Sequence, residues 1–471
     1  MTRTRRAGGG VVLGVDLGTC YSAAAVCLDG VDVEVLHNDI GDPTTPTCVY
    51  VDADGADRQV GEAAVRLAVS DPGRTVRNVK RILGVTLDAI RRDPWDALGS
   101  VQVVPADGLG ADRAAVRLGS ALDLAPEEIA GSVLLELRKA AEARVGRAVR
   151  RAVVAVPGYF NAAQRSAVRD AAALAGLEDV RLVNETSAAA LAYAHGREGQ
   201  GPRNVVVVDV GGGGAAVSIV EVRNDFVRVL ASSGVRLPGG EDFDREMVEY
   251  LKQVVKEEHG KDVTDPRSLE LLRAHWERAK RKLMQLPHTK IDTFLPGEVD
   301  VELCRLVKRA EFEERCEPLF RRVAEQLRAT LHSSCADQVG VEAVHDVVLV
   351  GGSTRIPRLR ALVQEVVAGR PLCKALNADE AVARGAALLG EDLVRLQDVT
   401  PLQLAALGGD PLLRNSPLPA DGRMPGADSG DTVVVSPALL CWACRHRVAD
   451  AEGPRRCDKA AWAGPTTPTP R

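Results

Sequence analysis

The sequence predicts an α/β fold of two related halves. Three observations carry this: apolar runs ending in glycine recur at 11–18, 204–214 and 346–352; helical periodicity fills the stretches between them; and the first two runs both close on Asp followed by glycines. Each run reads as a buried strand entering a tight turn, because glycine lets the backbone approach a ligand closely. Residues 126–146 set Ile129, Val133, Leu134 and Leu137 at helical spacing, with Ala125-Pro126-Glu127-Glu128 as the first turn. Residues 161–175 and 187–195 are Ala-rich and helix-prone. The charged stretch 242–286 holds two more helices, broken around 262–266. From about Thr400 prolines and glycines accumulate and apolar runs shorten to 432–435 and 438–442, the signature of a small or irregular module.

Composition narrows the classes. The chain has 471 residues, 45% of them apolar and 27% charged, the balance of a soluble globular protein. Aromatics supply only 3%, so the expected core is aliphatic, built of Val, Leu and Ala. A net charge of -5 argues against a nucleic-acid binder. The start at 1–6 is basic, but Asp16 cuts the apolar run that follows, which fits neither a secretory signal nor a membrane span. The 10 cysteines form no even framework, so reduced thiols and a cytoplasmic location are expected.

The chemistry sits at the turns. Asp16-Leu17-Gly18-Thr19 offers a metal-directed carboxylate, then backbone N–H groups and a hydroxyl for phosphate oxygens; alone it reads equally as an Asp-capped turn. Asp209-Val210-Gly211-Gly212-Gly213-Gly214 repeats the device, as a phosphate chain pinched between two lobes requires, where a single copy would read as a flexible linker. No GxxxxGK[ST] occurs, so a P-loop is excluded. A Rossmann site is disfavoured, since both turns are expected to lead into a second strand and not a helix. The third turn, Gly351-Gly352-Ser353-Thr354-Arg355, brings a guanidinium where it can stack on a base. Glu277, Lys280 and Arg281 share one helix face, which by spacing alone is also the pattern of a solvated charged face.

With these motifs in order, the chain resembles the ATPase domain of the 70-kDa heat-shock chaperone family, within the actin, hexokinase and heat-shock superfamily. The matching stretches are GVDLGTCYS at 14–22, NVKRILG at 78–84, VVAVPGYFNAAQR at 153–165, AGLEDVRLVNETSAAALAY at 175–193, VVDVGGGG at 207–214, GGEDFD at 239–244, ERAKRKL at 277–283, HDVVLVGGSTRIP at 345–357 and LNADEAVARGAA at 376–387. The resemblance implies an actin-like fold: two ribonuclease-H-like lobes around a nucleotide cleft, lobe I at 11–198 completed by 374–393, and lobe II at 199–373. Outside them it implies a disordered basic start at 1–10, a linker at 394–401 and a short irregular remnant at 402–471. ATP or ADP with Mg²⁺ is the implied ligand. Asp16, Glu185 and Asp209 match the acids that hold Mg²⁺ through water, and Lys80 the lysine that positions the attacking water. Thr19 matches the hydroxyl on the γ-phosphate. Gly18, Gly211, Gly212 and Gly213 match the phosphate-binding amides, with Cys20 and Tyr21 beside them. Glu277, Lys280, Arg281, Gly351, Gly352, Ser353, Arg355 and Asp379 match the adenosine pocket.

Departures set further expectations. Where the family motif has Thr and Asp, this chain has Gly214 and Ala216, losing a hydroxyl at the γ-phosphate and an acid of the monovalent-cation site. One lost charge-assisted contact of about 1.5–3 kcal/mol slows hydrolysis by roughly one to two powers of ten, so binding outlasts turnover. Thr186 stands in place of a proline, Cys20 of a threonine, and Met284 of a pocket serine. Arg395 and Gln397 interrupt the apolar linker, which weakens its docking, although Arg181 and Asp398 match positions that couple the linker to the cleft and to J-domain stimulation. The expected function is an ATP-binding, slowly hydrolysing chaperone that assists folding, without a complete peptide-binding domain. The alternative is an impaired nucleotide-dependent regulator that binds co-chaperones. J-domain and nucleotide-exchange proteins are the implied partners, with no nucleic acid and no membrane. Cys441, Cys444, His446 and Cys457 are weighed as a zinc set and read instead as part of a degraded tail.

Overall fold

The computed structural model describes residues 11–28, 32–92, 98–106, 112–120, 122–195, 197, 201–224, 226–233, 238–297, 299–332 and 340–398. The basic start, the tail from 402 and the cysteine–histidine set at 441–457 lie outside the described residues. No helix among those described is long and apolar enough to cross a membrane.

Two sheets repeat one plan. In lobe I, β1 (Val12–Asp16) runs antiparallel to β2 (Tyr21–Cys27), which pairs antiparallel with β3 (Val33–Val35). On the other side β1 is parallel to β4 (Arg151–Val156), and β4 to β5 (Asp179–Asn184). In lobe II, β6 (Arg203–Val210), β7 (Ala215–Arg223) and β8 (Phe226–Ser233) form the same antiparallel meander, and β9 (Val344–Val350) lies parallel to β6. Both Asp–Gly turns therefore lead into a second strand, the connection that separates this plan from a dinucleotide-binding βαβ unit. A lone parallel bridge between Val347 and Leu372 stands where lobe I has its fifth strand.

The helices start and stop on local chemistry. α1 (Pro126–Val145) begins on proline, with the Glu128 carboxylate accepting the Ala125 N–H at 2.9 Å, and ends on Gly146 at φ 70°. α2 (Ala162–Leu174) is capped by Asn161 and Gln164 reciprocally, at 2.9 and 3.1 Å. α3 (Glu185–Ala194) starts two residues before the expected Ser187, because β5 passes through Asn184 straight into the helix. Glu185 is thereby its first residue. α4 (Gly240–His259) and α5 (Pro266–Leu283) are separated where expected, Asp265 accepting the Ser268 N–H at 2.8 Å.

Small side chains join the halves. α3 crosses α8 (Ala381–Gly390; α6 is Arg309–Leu331 and α7 Pro357–Val366) so closely that a Cβ on Gly385 would lie 1.7 Å from the Ala188 carbonyl oxygen. One apolar core containing both helices runs continuously from Val12, Ala25 and Val153 of lobe I to Val205, Val220 and Val350 of lobe II. The expectation of an aliphatic core holds there, and under lobe II the mostly aliphatic core also takes in an aromatic cluster. There Phe243, Trp276, Phe312 and Phe320 gather edge to face, with centroids 4.8 Å (Phe243–Phe320), 5.3 Å (Trp276–Phe312) and 6.0 Å (Phe312–Phe320) apart.

The linker also departs from expectation. Arg395–Gln397 forms β10, parallel to β8 with Leu396 opposite Val227. Strand alternation turns Arg395 and Gln397 outward while Val394 is 2% exposed, so the polar replacements cost the docked strand little apolar burial.

Candidate functional site

A cleft of about 960 Å³ opens between the lobes, above the shared core. Asp16 is the last residue of β1 and Asp209 the last but one of β6, the equivalent strand, and Glu185 opens α3; the duplicated plan thus delivers one carboxylate from each sheet and a third from the crossing helix. Lys80, buried in the 3₁₀ turn Val79–Arg81, donates to the Glu185 carboxylate.

Burial pushes the Asp16 carboxyl up to about 7, with Lys80 pulling down and Glu185 and Asp379 pushing further up. Asp209 rises well above the carboxylate range, first from burial and then from repulsion by Glu185 and Asp16. For Lys80, burial lowers and the Glu185 and Asp16 charges raise, the raising effects winning, so its ammonium stays protonated. Three acids crowded around one ammonium make a pocket short of positive charge, a donor set that fits a divalent cation. Among the described residues no three His, Cys, Asp or Glu side chains close to direct-ligation geometry.

The two glycine turns meet face to face. A Cβ on Gly213 would lie 2.1 Å from Thr19 Oγ1 and 2.9 Å from Thr19 Cβ, and one on Gly212 2.1 Å from Cys20 Sγ, so a side chain at either position would displace the residue facing it. The Gly18 amide donates to Ser22 Oγ (3.2 Å) and the Gly211 amide to the Gly214 carbonyl (3.0 Å), so these two glycines shape their turns internally. Among the described residues, the amides of Thr19, Gly212 and Gly213 have no such acceptor. Ser353 Oγ donates to the Gly211 carbonyl at 3.1 Å, tying the third turn to the second.

The nucleoside-pocket residues converge at the same cleft. Tyr21 donates to Glu277 Oε1 at 2.6 Å, and the Arg281 guanidinium lies 4.7 Å above the Tyr21 ring while pairing with Glu277 at 2.8 Å. Arg355 pairs with Asp379 and donates to Asn377 Oδ1 at 3.1 Å. Gly351, Gly352 and Met284 also line the cleft. The helix-face reading of Glu277, Lys280 and Arg281 splits, because Lys280 turns inward to Asp244 at 2.6 Å. Asp244, raised to about 6 by burial against the pull of Lys280, also accepts the Trp276 N–H at 2.6 Å and so ties the pocket to the aromatic cluster. Cys20 is no reactive thiol: burial and the Glu241 carboxylate, 3.1 Å away, raise it well above the thiol range.

Motif reading did not single out the cross-cleft contacts. Asn78, in the left-handed region at φ 57°, donates to Glu241 at 2.8 Å, and Arg81 reaches Asp242 at 3.3 Å and the Gly212 carbonyl at 3.4 Å. Their sequence signal was an acidic first turn of a helix, which usually means only a favourable helix dipole. Arg181 is exposed on β5, whereas Asp398 accepts from Asn184 Nδ2 at 3.0 Å. Ala216 faces Asp209 across the β6–β7 ladder, and it and Gly214 line the cleft with neither hydroxyl nor carboxylate.

Residues 12–410 match the family model described as Hsp70 protein. The chain is 40% identical over 430 residues to heat shock 70 kDa protein BIP3 of Oryza sativa subsp. japonica, covering 87% of this chain and 62% of that protein. It is 36% identical over 430 residues to heat shock 70 kDa protein 2 of Paracoccidioides lutzii, covering 86% and 64%. The chain thus spans a little under two thirds of the length of these relatives.

Proposed function

The chain belongs to the Hsp70 family, whose nucleotide-binding domain is an actin-like ATPase fold, and from that premise we propose that its cleft binds Mg²⁺ with ATP or ADP and hydrolyses ATP slowly, as the nucleotide-driven part of a chaperone. The observation that carries the proposal is the convergence of Asp16, Glu185, Asp209 and Lys80 beneath two facing glycine turns in one cleft.

Asp16, Glu185 and Asp209 would hold the hydrated cation, which supplies charge neutralisation to the phosphate chain. The amides of Thr19, Gly212 and Gly213 and the Thr19 hydroxyl grip phosphate oxygens from both lobes. Arg281 and Arg355 flank the nucleoside, and Met284 presents it with a thioether. Lys80, kept protonated by its carboxylate neighbours, orients a water molecule and offsets charge at the terminal phosphate. Gly214 and Ala216 withhold a hydroxyl and a carboxylate from the same region, which supports slow turnover behind intact binding. J-domain and nucleotide-exchange proteins are proposed as partners from family membership.

Single-turnover hydrolysis of radiolabelled ATP by the full chain tests this. The proposal expects bound ATP to convert slowly to ADP with Mg²⁺ and not in EDTA. Mg²⁺-dependent binding with no conversion would instead favour the regulator that binds without turnover, and no binding would end both readings.

A further inference from the structure

A buried polar chain runs beside the carboxylates without taking part in the chemistry above. Thr186 Oγ1 and Ser218 Oγ are 2.7 Å apart, and Ser218 Oγ and Ser232 Oγ 2.8 Å. All three side chains are buried. Hydroxyls that satisfy one another in a core hold their elements in one geometry, because separating them strands polar groups away from water. These three join different elements: Thr186 is the second residue of α3, Ser218 lies on β7, and Ser232 faces Ser218 from β8.

Glu185 thus sits between two pinned neighbours. On one side Asn184 accepts from Arg165 at 2.7 Å and donates to Asp398 at 3.0 Å. On the other, Thr186 is tied to lobe II. The same strand β7 also sets Asp209, through the Asp209–Ala216 pair two residues from Ser218. One strand is therefore the common reference for a carboxylate on each side of the cleft. By resemblance Thr186 stands where the family motif has proline, a residue with no hydroxyl to make this tether.

We propose that Thr186 is a positioning residue: through Ser218 and Ser232 it fixes the first turn of α3 against β7, and so sets the spacing of Glu185 and Asp209 that one hydrated cation must bridge. The proposal rests on the Mg²⁺–nucleotide reading.

Calorimetric titration of ATP into the full chain, with Mg²⁺ and with EDTA, tests it in wild type and in Thr186→Val, which keeps the shape and removes the hydroxyl. The Mg²⁺-supported gain in affinity is expected to fall about fivefold, the worth of one buried hydrogen bond, with affinity in EDTA unchanged and Thr186→Ser restoring the gain. Ser187→Ala is the control: its hydroxyl is as deeply buried one residue away but has no partner among the described residues, and both affinities should stay as in wild type. Should Thr186→Val not fold, Ser218→Ala must show the same selective loss. A wild-type Mg²⁺ gain in these variants, or an equal loss with and without Mg²⁺, would overturn the proposal. A wild-type chain that binds no nucleotide would fell the underlying reading first and the proposal with it.

Discussion

Asp16→Asn probes the electrostatics of the cleft most sharply. Burial, opposed by Lys80 and reinforced by Glu185 and Asp379, lifts the Asp16 carboxyl from 3.8 to about 7. Between those values the folded protein holds a proton that the unfolded chain has released, so stability from this group is fully present below 3.8 and is lost as pH rises through about 7. Roughly 2 of the roughly 3 pH units involved fall between pH 5 and pH 8, about 3 kcal/mol. For a folded unit of this size that is about 3–4 °C in Tm. Differential scanning calorimetry without Mg²⁺ should show wild-type Tm falling by that much more than the Tm of Asp16→Asn, which has no proton to lose. Adding Mg²⁺ and nucleotide at pH 8 should recover the loss in wild type, where the cation meets the ionised carboxylate, and do less for the variant. Equal pH slopes in the two proteins would refute the reasoning.

Three further outcomes follow from the geometry. Gly214→Thr combined with Ala216→Asp should raise the single-turnover rate by about 10- to 100-fold by returning a hydroxyl and an acid to the phosphate region; an unchanged rate would show that slow turnover has another origin. Gly213→Ala sets a Cβ 2.1 Å from Thr19 Oγ1 and forces the facing turns apart, at a cost of about 1–3 kcal/mol, so nucleotide affinity by calorimetry should fall about tenfold or more; wild-type affinity would mean that the turns need not meet. Val394→Asp buries an unpaired carboxylate behind β10 and should detach the strand, read as faster tryptic cleavage after Arg395; an unchanged cleavage rate would contradict the docked linker.

What was legible in the sequence follows from how local each feature is. The strand–Asp–Gly turns at Asp16 and Asp209 declare themselves because glycine and a strand-end carboxylate are local signals, and their repetition foretold two sheets on one plan. Helix limits at Asn161, Asp265 and Gly146 were readable from capping chemistry. Contacts between elements were not. Lys280 looked like part of a charged face until α4 supplied Asp244, and Arg395 looked like a defect until strand alternation turned it to solvent. Thr186, in place of a proline, shows no tether in the sequence because its partners, Ser218 and Ser232, are remote from it. The sparse aromatics gave no hint that Phe243, Trp276, Phe312 and Phe320 would gather in one cluster.

Titration of ATP into the full chain by isothermal calorimetry, once with Mg²⁺ and once with EDTA, tests the central claim most directly. The account predicts saturable one-to-one binding that weakens strongly when Mg²⁺ is removed, and that Asp209→Asn weakens in Mg²⁺ much more than in EDTA. Binding indifferent to both Mg²⁺ and Asp209, or no binding at all, would contradict it.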